Sequence, residues 1–205
     1  MIAFVTENVK DTGLSKGGMY HYFGSKEEIF DGVVRYALEQ ERPYYEKTLS
    51  EAKTVTAKLK AFISSDVLGP SDFISQVSDF KRQEKHSIVP HRIRELNGEF
   101  GVPYLEEILR FGIAQGSLYT QYPAEMARFL YLCGESLFYD MMNAPFGKKG
   151  ETWAERHAAA FARLVASSLN ISKEEEAAFA ADMRQELLTQ MSRRKESADS
   201  SFDGI

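Results

Sequence analysis

Apolar residues recur along this chain at intervals of three and four and break off at glycine, proline or capping residues, so the pattern predicts helices almost throughout. A short first helix is expected from Ala3 to Asp11, stopped at Gly13. Ser15 then caps a second, with Leu14 and Met19 placed to staple its entry. Gly24 closes that helix, and Ser25-Lys26-Glu27-Glu28 is a capping box that opens a long third one reaching Pro43 or beyond. Val55, Leu59, Phe62, Ile63 and Val67 mark a helix that Gly69-Pro70 breaks, and a shorter one is expected around Asp72–Phe80. Ile88 to Gln115 reads as helix with a kink near Gly101, since Gly98, Gly101 and Pro103 fall inside it. Pro123 opens a helix to about Met142. Thr152-Trp153-Ala154-Glu155 is a second capping box for a helix ending at Leu169, and Ser172-Lys173-Glu174-Glu175 caps a last one ending near Arg194. No stretch alternates with the period of a strand, so the expected class is all-α.

Composition narrows the setting. With 205 residues, 43% hydrophobic and 27% charged, the chain can bury a core and is not disordered as a whole. Cys133 is the single cysteine and lies in an apolar run, which predicts a buried thiol in a reducing compartment, hence a cytoplasmic protein. No apolar run approaches the ~20 residues that a membrane helix needs, and the first residues lack the basic start of a signal peptide. A net charge of −5 argues against coating nucleic acid through bulk positive potential, though it leaves room for a small DNA-reading module.

The most informative segment is Gly13 to Phe30, GLSKGGMYHYFGSKEEIF. Within its first helix Met19 and Phe23 are four apart and face inward together, which leaves Lys16, Gly17, Tyr20, His21 and Tyr22 outside. Lys16 brings positive charge, Gly17 permits close backbone approach, and Tyr20, His21 and Tyr22 can donate to phosphates or base edges. Lys26, beside the free N–H groups that open the next helix, can hold a phosphate.

This run resembles the signature of TetR-family regulators, in which a Gly-x-Ser-Lys-Gly turn leads into a recognition helix ending Tyr-His-Tyr-Phe. The resemblance implies an N-terminal helix-turn-helix followed by a helical ligand-binding and dimerisation bundle. It assigns double-stranded DNA contacts to Ser15, Lys16, Gly17, Tyr20, His21 and Tyr22, and core positions to Leu14, Met19 and Phe23. Only 12 residues precede Gly13, about 18 Å of helix at most, so the family's first helix is expected to be missing and the helix-turn-helix truncated. The implied function is a ligand-responsive regulator, a repressor released from its operator by a small molecule. The alternative is a dimeric sensor or scaffold that no longer grips DNA.

The expected domains are residues 1–45, the reading region with the start of the connecting helix; 46–194, the effector and dimerisation body; and 195–205, a flexible tail. Phe62, Phe80, Tyr104, Ile108 and Phe111 are spaced to line an apolar effector pocket between splayed helices, although such a stripe also suits plain core. His86, His91, Arg92 and Glu95 are the polar groups placed to orient a ligand, with His91 and Glu95 also readable as a surface pair. Met126, Phe129, Leu130, Cys133, Leu137, Phe138 and Met141 make one helix broadly apolar. Its neighbour is rich in small residues, Ala158, Ala159, Ala160, Ala162 and Ala166, and the two are expected to form a homodimer's four-helix bundle. There is no His-Glu-x-x-His run, cysteine pair or phosphate-cradling loop, and His21 and His157 stand isolated. Neither an enzyme, a metal nor a cofactor is expected.

Overall fold

In the computed structural model, residues 25–63 and 89–200 are described. They form helices α1 (Lys26–Glu51), α2 (Val55–Ile63), α3 (Val89–Gln115), α4 (Pro123–Met141), α5 (Lys148–Leu169) and α6 (Lys173–Ser200), and no strand occurs among the described residues. The all-α class stands. The helices expected at Ala3–Asp11, Ser15–Phe23 and Asp72–Phe80 lie outside the described residues.

The described residues fall into two compact units, 25–46 with 89–100, and 47–63 with 101–200. In the first, Phe30 and Val34 of α1, one turn apart, and Leu96 of α3 are each buried. Tyr45 meets the Phe100 ring edge-on at 5.9 Å. The helix assignment of α3 continues unbroken through Gly98, Gly101 and Pro103, and the boundary between units falls at Phe100–Gly101.

In the second unit α5 lies along α6. Buried residues of α5 occur at every fourth position, Gly150, Ala154, Ala158, Ala162 and Ala166, and those of α6 at Phe179, Met183, Leu187 and Met191. A ridge of small side chains thus faces a ridge of large ones, the arrangement that lets two helices approach closely. Gly150 sets one end: a Cβ there would lie 2.7 Å from the terminal methyl of Met191 and 2.2 Å from the Pro145 carbonyl oxygen. Phe161 and Phe179 meet farther along, ring centroids 6.3 Å apart. The alanines Ala158, Ala162 and Ala166, assigned from sequence to a dimer seam, are therefore consumed by packing inside one chain.

Two boundaries differ from expectation for identifiable reasons. Helix α5 begins at Lys148, one turn before the expected Thr152 box, because Gly147 adopts φ 67°, ψ −151° and turns the chain there. Thr152 is inside the helix, and its hydroxyl donates to the Lys148 carbonyl one turn back at 3.1 Å. Helix α6 continues through the expected end at Arg194 to Ser200. Arg194 is itself an anchor, donating to the Met141 carbonyl at 2.5 Å and the Ala144 carbonyl at 2.6 Å, with its guanidinium carbon 4.1 Å from the Phe146 ring centre. The other ends follow the sequence. Asn170 closes α5 in the left-handed conformation (φ 55°), and the Ser172 box opens α6, with Glu175 N–H donating to Ser172 Oγ at 3.2 Å and the Ser172 hydroxyl to Glu175 Oε2 at 2.9 Å.

Candidate functional site

Seven residues were assigned to DNA. Ser15, Lys16, Gly17, Tyr20, His21 and Tyr22 lie outside the described residues, and Lys26 is the first residue of α1. The Ser25 cap before it is formed: Glu28 N–H donates to Ser25 Oγ at 3.1 Å, which satisfies one of the open donors at the start of α1.

Past that cap, α1 is tied to α3 by charge as well as by its apolar face. Arg92 donates through Nε to both oxygens of Asp31, each at 2.9 Å, and through a terminal nitrogen to Asp31 again. Its remaining terminal nitrogen donates to Glu95 at 2.9 Å. Flanked by two carboxylates, the Arg92 guanidinium holds its proton more firmly than a free arginine. Arg35 and Glu99 make a second pair at 2.5 Å, and Arg42 lies over the Phe100 ring, 5.2 Å from its centre, while chelating Glu39. These bonds hold the Glu39 carboxyl below the usual carboxylate range. The reading of Arg92 as a ligand-orienting group is thus corrected: its donors are directed at Asp31 and Glu95. His91 and Glu95 form the expected exposed pair, 3.5 Å apart. Nothing in the local pattern marks Asp31 as the partner, since 61 residues separate it from Arg92.

In the second unit, Tyr104 and Ile108 are buried and Phe62 and Phe111 are half-buried; Phe80 and His86 lie outside the described residues. Phe62 meets Tyr131 edge-on at 6.5 Å, and the two rings close over Gly101, where a Cβ would lie 2.8 Å from Tyr131 Cε2. Phe111 carries the Lys58 ammonium 4.8 Å from its ring centre, and that ammonium also donates to the Leu49 carbonyl. Of the expected pocket residues, Phe62 therefore meets α3 at Gly101, one turn before Tyr104. Tyr131, absent from the sequence-derived set, joins them because it stands one turn beyond buried Ala127 on α4.

A surface groove lies elsewhere in this unit, lined by Pro145, Lys149, Thr152, Trp153, Arg156, His157 and Ala160. His157, isolated in the sequence, stacks on Trp153 with ring centres 4.0 Å apart and places Nδ1 2.8 Å from the Trp153 carbonyl oxygen. The four-residue spacing was the signal for this pair. Cys133 corrects another expectation: its thiol is exposed on α4, not buried. Among the described residues, no group of three or more His, Cys, Asp or Glu side chains is disposed to hold a metal ion. Nor is any described helix long and apolar enough to cross a membrane.

Residues 9–33 match the family of bacterial regulatory proteins, tetR family. The chain is 28% identical over 122 residues to the HTH-type transcriptional repressor KstR2 of Rhodococcus jostii (strain RHA1), covering 58% of this chain and 59% of that protein. It is 26% identical over 131 residues to the uncharacterized HTH-type transcriptional regulator YfiR of Bacillus subtilis (strain 168), covering 59% of this chain and 61% of that one. The alignments span about three fifths of the length of these relatives. The chain is thus similar to tetR-type transcriptional regulators in a short N-terminal segment and, at lower identity, over about three fifths of its length.

Proposed function

We propose that this chain is a cytoplasmic, homodimeric, DNA-binding regulator whose grip on its operator is altered by a small molecule. The supporting observation is the tetR-type segment at residues 9–33, which runs directly into the formed Ser25 cap of α1. In this reading Ser15, Lys16, Gly17, Tyr20, His21 and Tyr22 face the duplex, and Lys26 with the opening N–H groups of α1 holds a phosphate. Because the protein carries a net charge of −5, binding rests on this local surface rather than on bulk attraction.

The effector enters among Phe62, Tyr104, Ile108 and Phe111, where the buried Tyr104 and Ile108 supply an apolar floor. A ligand that binds one arrangement of the body better than another shifts α1 and with it the spacing of the paired reading helices. Release from DNA by the ligand, the repressor mode, is favoured by the name of the Rhodococcus relative. Dimerisation uses the outward faces of α4 and α5, and a twofold pair suits half-sites about one helical turn apart or a multiple of it.

Selection from a random-sequence duplex library, followed by a salt titration on the enriched sequence, tests this. Enrichment of a two-part site, with affinity falling linearly in log salt, is the expected result, because each neutralised phosphate releases counterions. Failure to enrich any sequence, or a flat salt response, overturns the regulator reading in favour of a sensor or scaffold.

A further inference from the structure

The groove on α5 takes no part in the function proposed above, and two features of its lining point to a ligand. The first is a ready aromatic surface. Trp153 and His157, one turn apart and both half-buried, are stacked at 4.0 Å with planes only 21° from parallel. The Trp153 carbonyl accepts from His157 Nδ1 at 2.8 Å, which holds the imidazole in that position. Rings already ordered in this way can receive a third flat ring without the entropy cost of being assembled around it.

The second feature is charge. In a protein of net charge −5, the groove is lined by Lys149 and Arg156 and by no acidic side chain. Both cations are exposed, and neither makes an ion pair with a described residue. They stand seven residues apart on α5, about 10.5 Å along its axis, with Trp153 between them. The Thr152 hydroxyl, by contrast, is already committed to the Lys148 carbonyl. The groove's volume of about 440 Å³ lies within the range of small-molecule sites. It occupies the first turns of α5, so the last turns, with exposed Leu164, remain for the dimer contact proposed above.

We infer that this groove binds a small planar aromatic carboxylate, its ring added to the Trp153–His157 stack and its carboxylate met by the long side chains of Lys149 and Arg156 from either side. Charge alone would admit any anion and the stack any flat ring; together they select for both properties at once. The site shares no residue with the effector set Phe62, Tyr104, Ile108 and Phe111, and it stands or falls independently of DNA binding.

Trp153 is the single tryptophan of the chain, so its fluorescence reports on this groove alone. The test titrates the full chain with benzoate at fixed ionic strength, with benzamide as the neutral ring and cyclohexanecarboxylate as the anion without a flat ring. Lys149→Gln, Arg156→Gln and the double variant are run beside it, all checked for unchanged helicity by circular dichroism. Benzoate is expected to change the emission saturably with a Kd of about 1 mM, and both analogues to bind more weakly. Each single variant should weaken benzoate binding about twofold to fivefold, and the double variant by about the product of the two. No saturable change with benzoate, benzamide binding as tightly, or a double variant of unchanged affinity overturns the inference. So does benzoate retained in equilibrium dialysis while Trp153 stays silent, since it then lies elsewhere. Emission that follows protein concentration but not benzoate overturns it as well, because a second copy then fills the groove.

Discussion

Arg92 of α3 reaches Asp31 of α1 with its guanidinium chelated by both carboxylate oxygens, and this pair, backed by Glu95, ties α1 to α3. Its side chains are 36% and 22% exposed, so solvent screens part of the attraction. Asp31→Ala is expected to lower the unfolding free energy by about 1 kcal/mol in urea titrations, the geometry lifting it above an ordinary surface pair. A double-mutant cycle with Arg92→Ala should return a favourable coupling energy, and strict additivity would show the clasp to be idle.

Ser25→Ala removes the acceptor for the Glu28 N–H and should cost about 1 kcal/mol, while Ser25→Gly should cost only a few tenths. Thermal unfolding of the two variants side by side checks the order; equal loss would mean that the hydroxyl is not the source of the effect.

Gly150→Ala should be among the most damaging small changes. The added methyl would meet the Pro145 carbonyl oxygen at 2.2 Å, a backbone atom that cannot swing aside, as well as Met191. A loss of about 2–3 kcal/mol is expected, and wild-type stability in urea would show that the 145–150 turn yields cheaply.

Arg194 closes the end of α4 from a different helix. Its burial lowers the guanidinium pKa, yet an arginine stays charged across the working pH range, so its two carbonyl bonds persist there. Arg194→Ala is expected to cost about 2 kcal/mol. Hydrogen exchange should quicken selectively over residues 142–147; uniform change across the chain would assign the loss to α6 instead.

For the proposed reading segment, Lys16→Ala should weaken operator binding and reduce the log–log salt slope by about 1, and Tyr20→Ala should weaken binding with little change in slope. Both should leave the sedimenting mass unchanged. Full affinity in either variant removes that residue from the DNA surface.

Local chemistry carried much of the architecture. Ser25 and Ser172 cap where serine followed three residues later by glutamate says they should, and Pro123 opens α4 as a proline at the first helical position does. Thr152 misled for an instructive reason: the same hydroxyl serves a cap or a bond to the carbonyl one turn back, and the positive φ of Gly147 decided between them. The alanines of α5 announced a close helix approach but not with which helix, because Phe179, Met183, Leu187 and Met191 of α6 carry the complementary ridge. Asp31 and Arg92 were out of reach, since ion pairs distant in sequence follow from tertiary placement alone. Cys133 was misassigned because an apolar neighbourhood in sequence wraps around a helix, and only one side of α4 faces its own core.

The seam between α5 and α6 also dictates how the chain can vary. Its two sides are unequal: on α6, Phe179, Met183, Leu187 and Met191 can be exchanged among hydrophobes of similar bulk, whereas the positions opposite, from Gly150 through Ala166, have no volume to give. A saturation scan scored for folded protein would therefore show permissive columns on the last helix and near-forbidden ones at every fourth position of the helix before it. The freedom to change lies with the residues that fill space, not with those that vacate it.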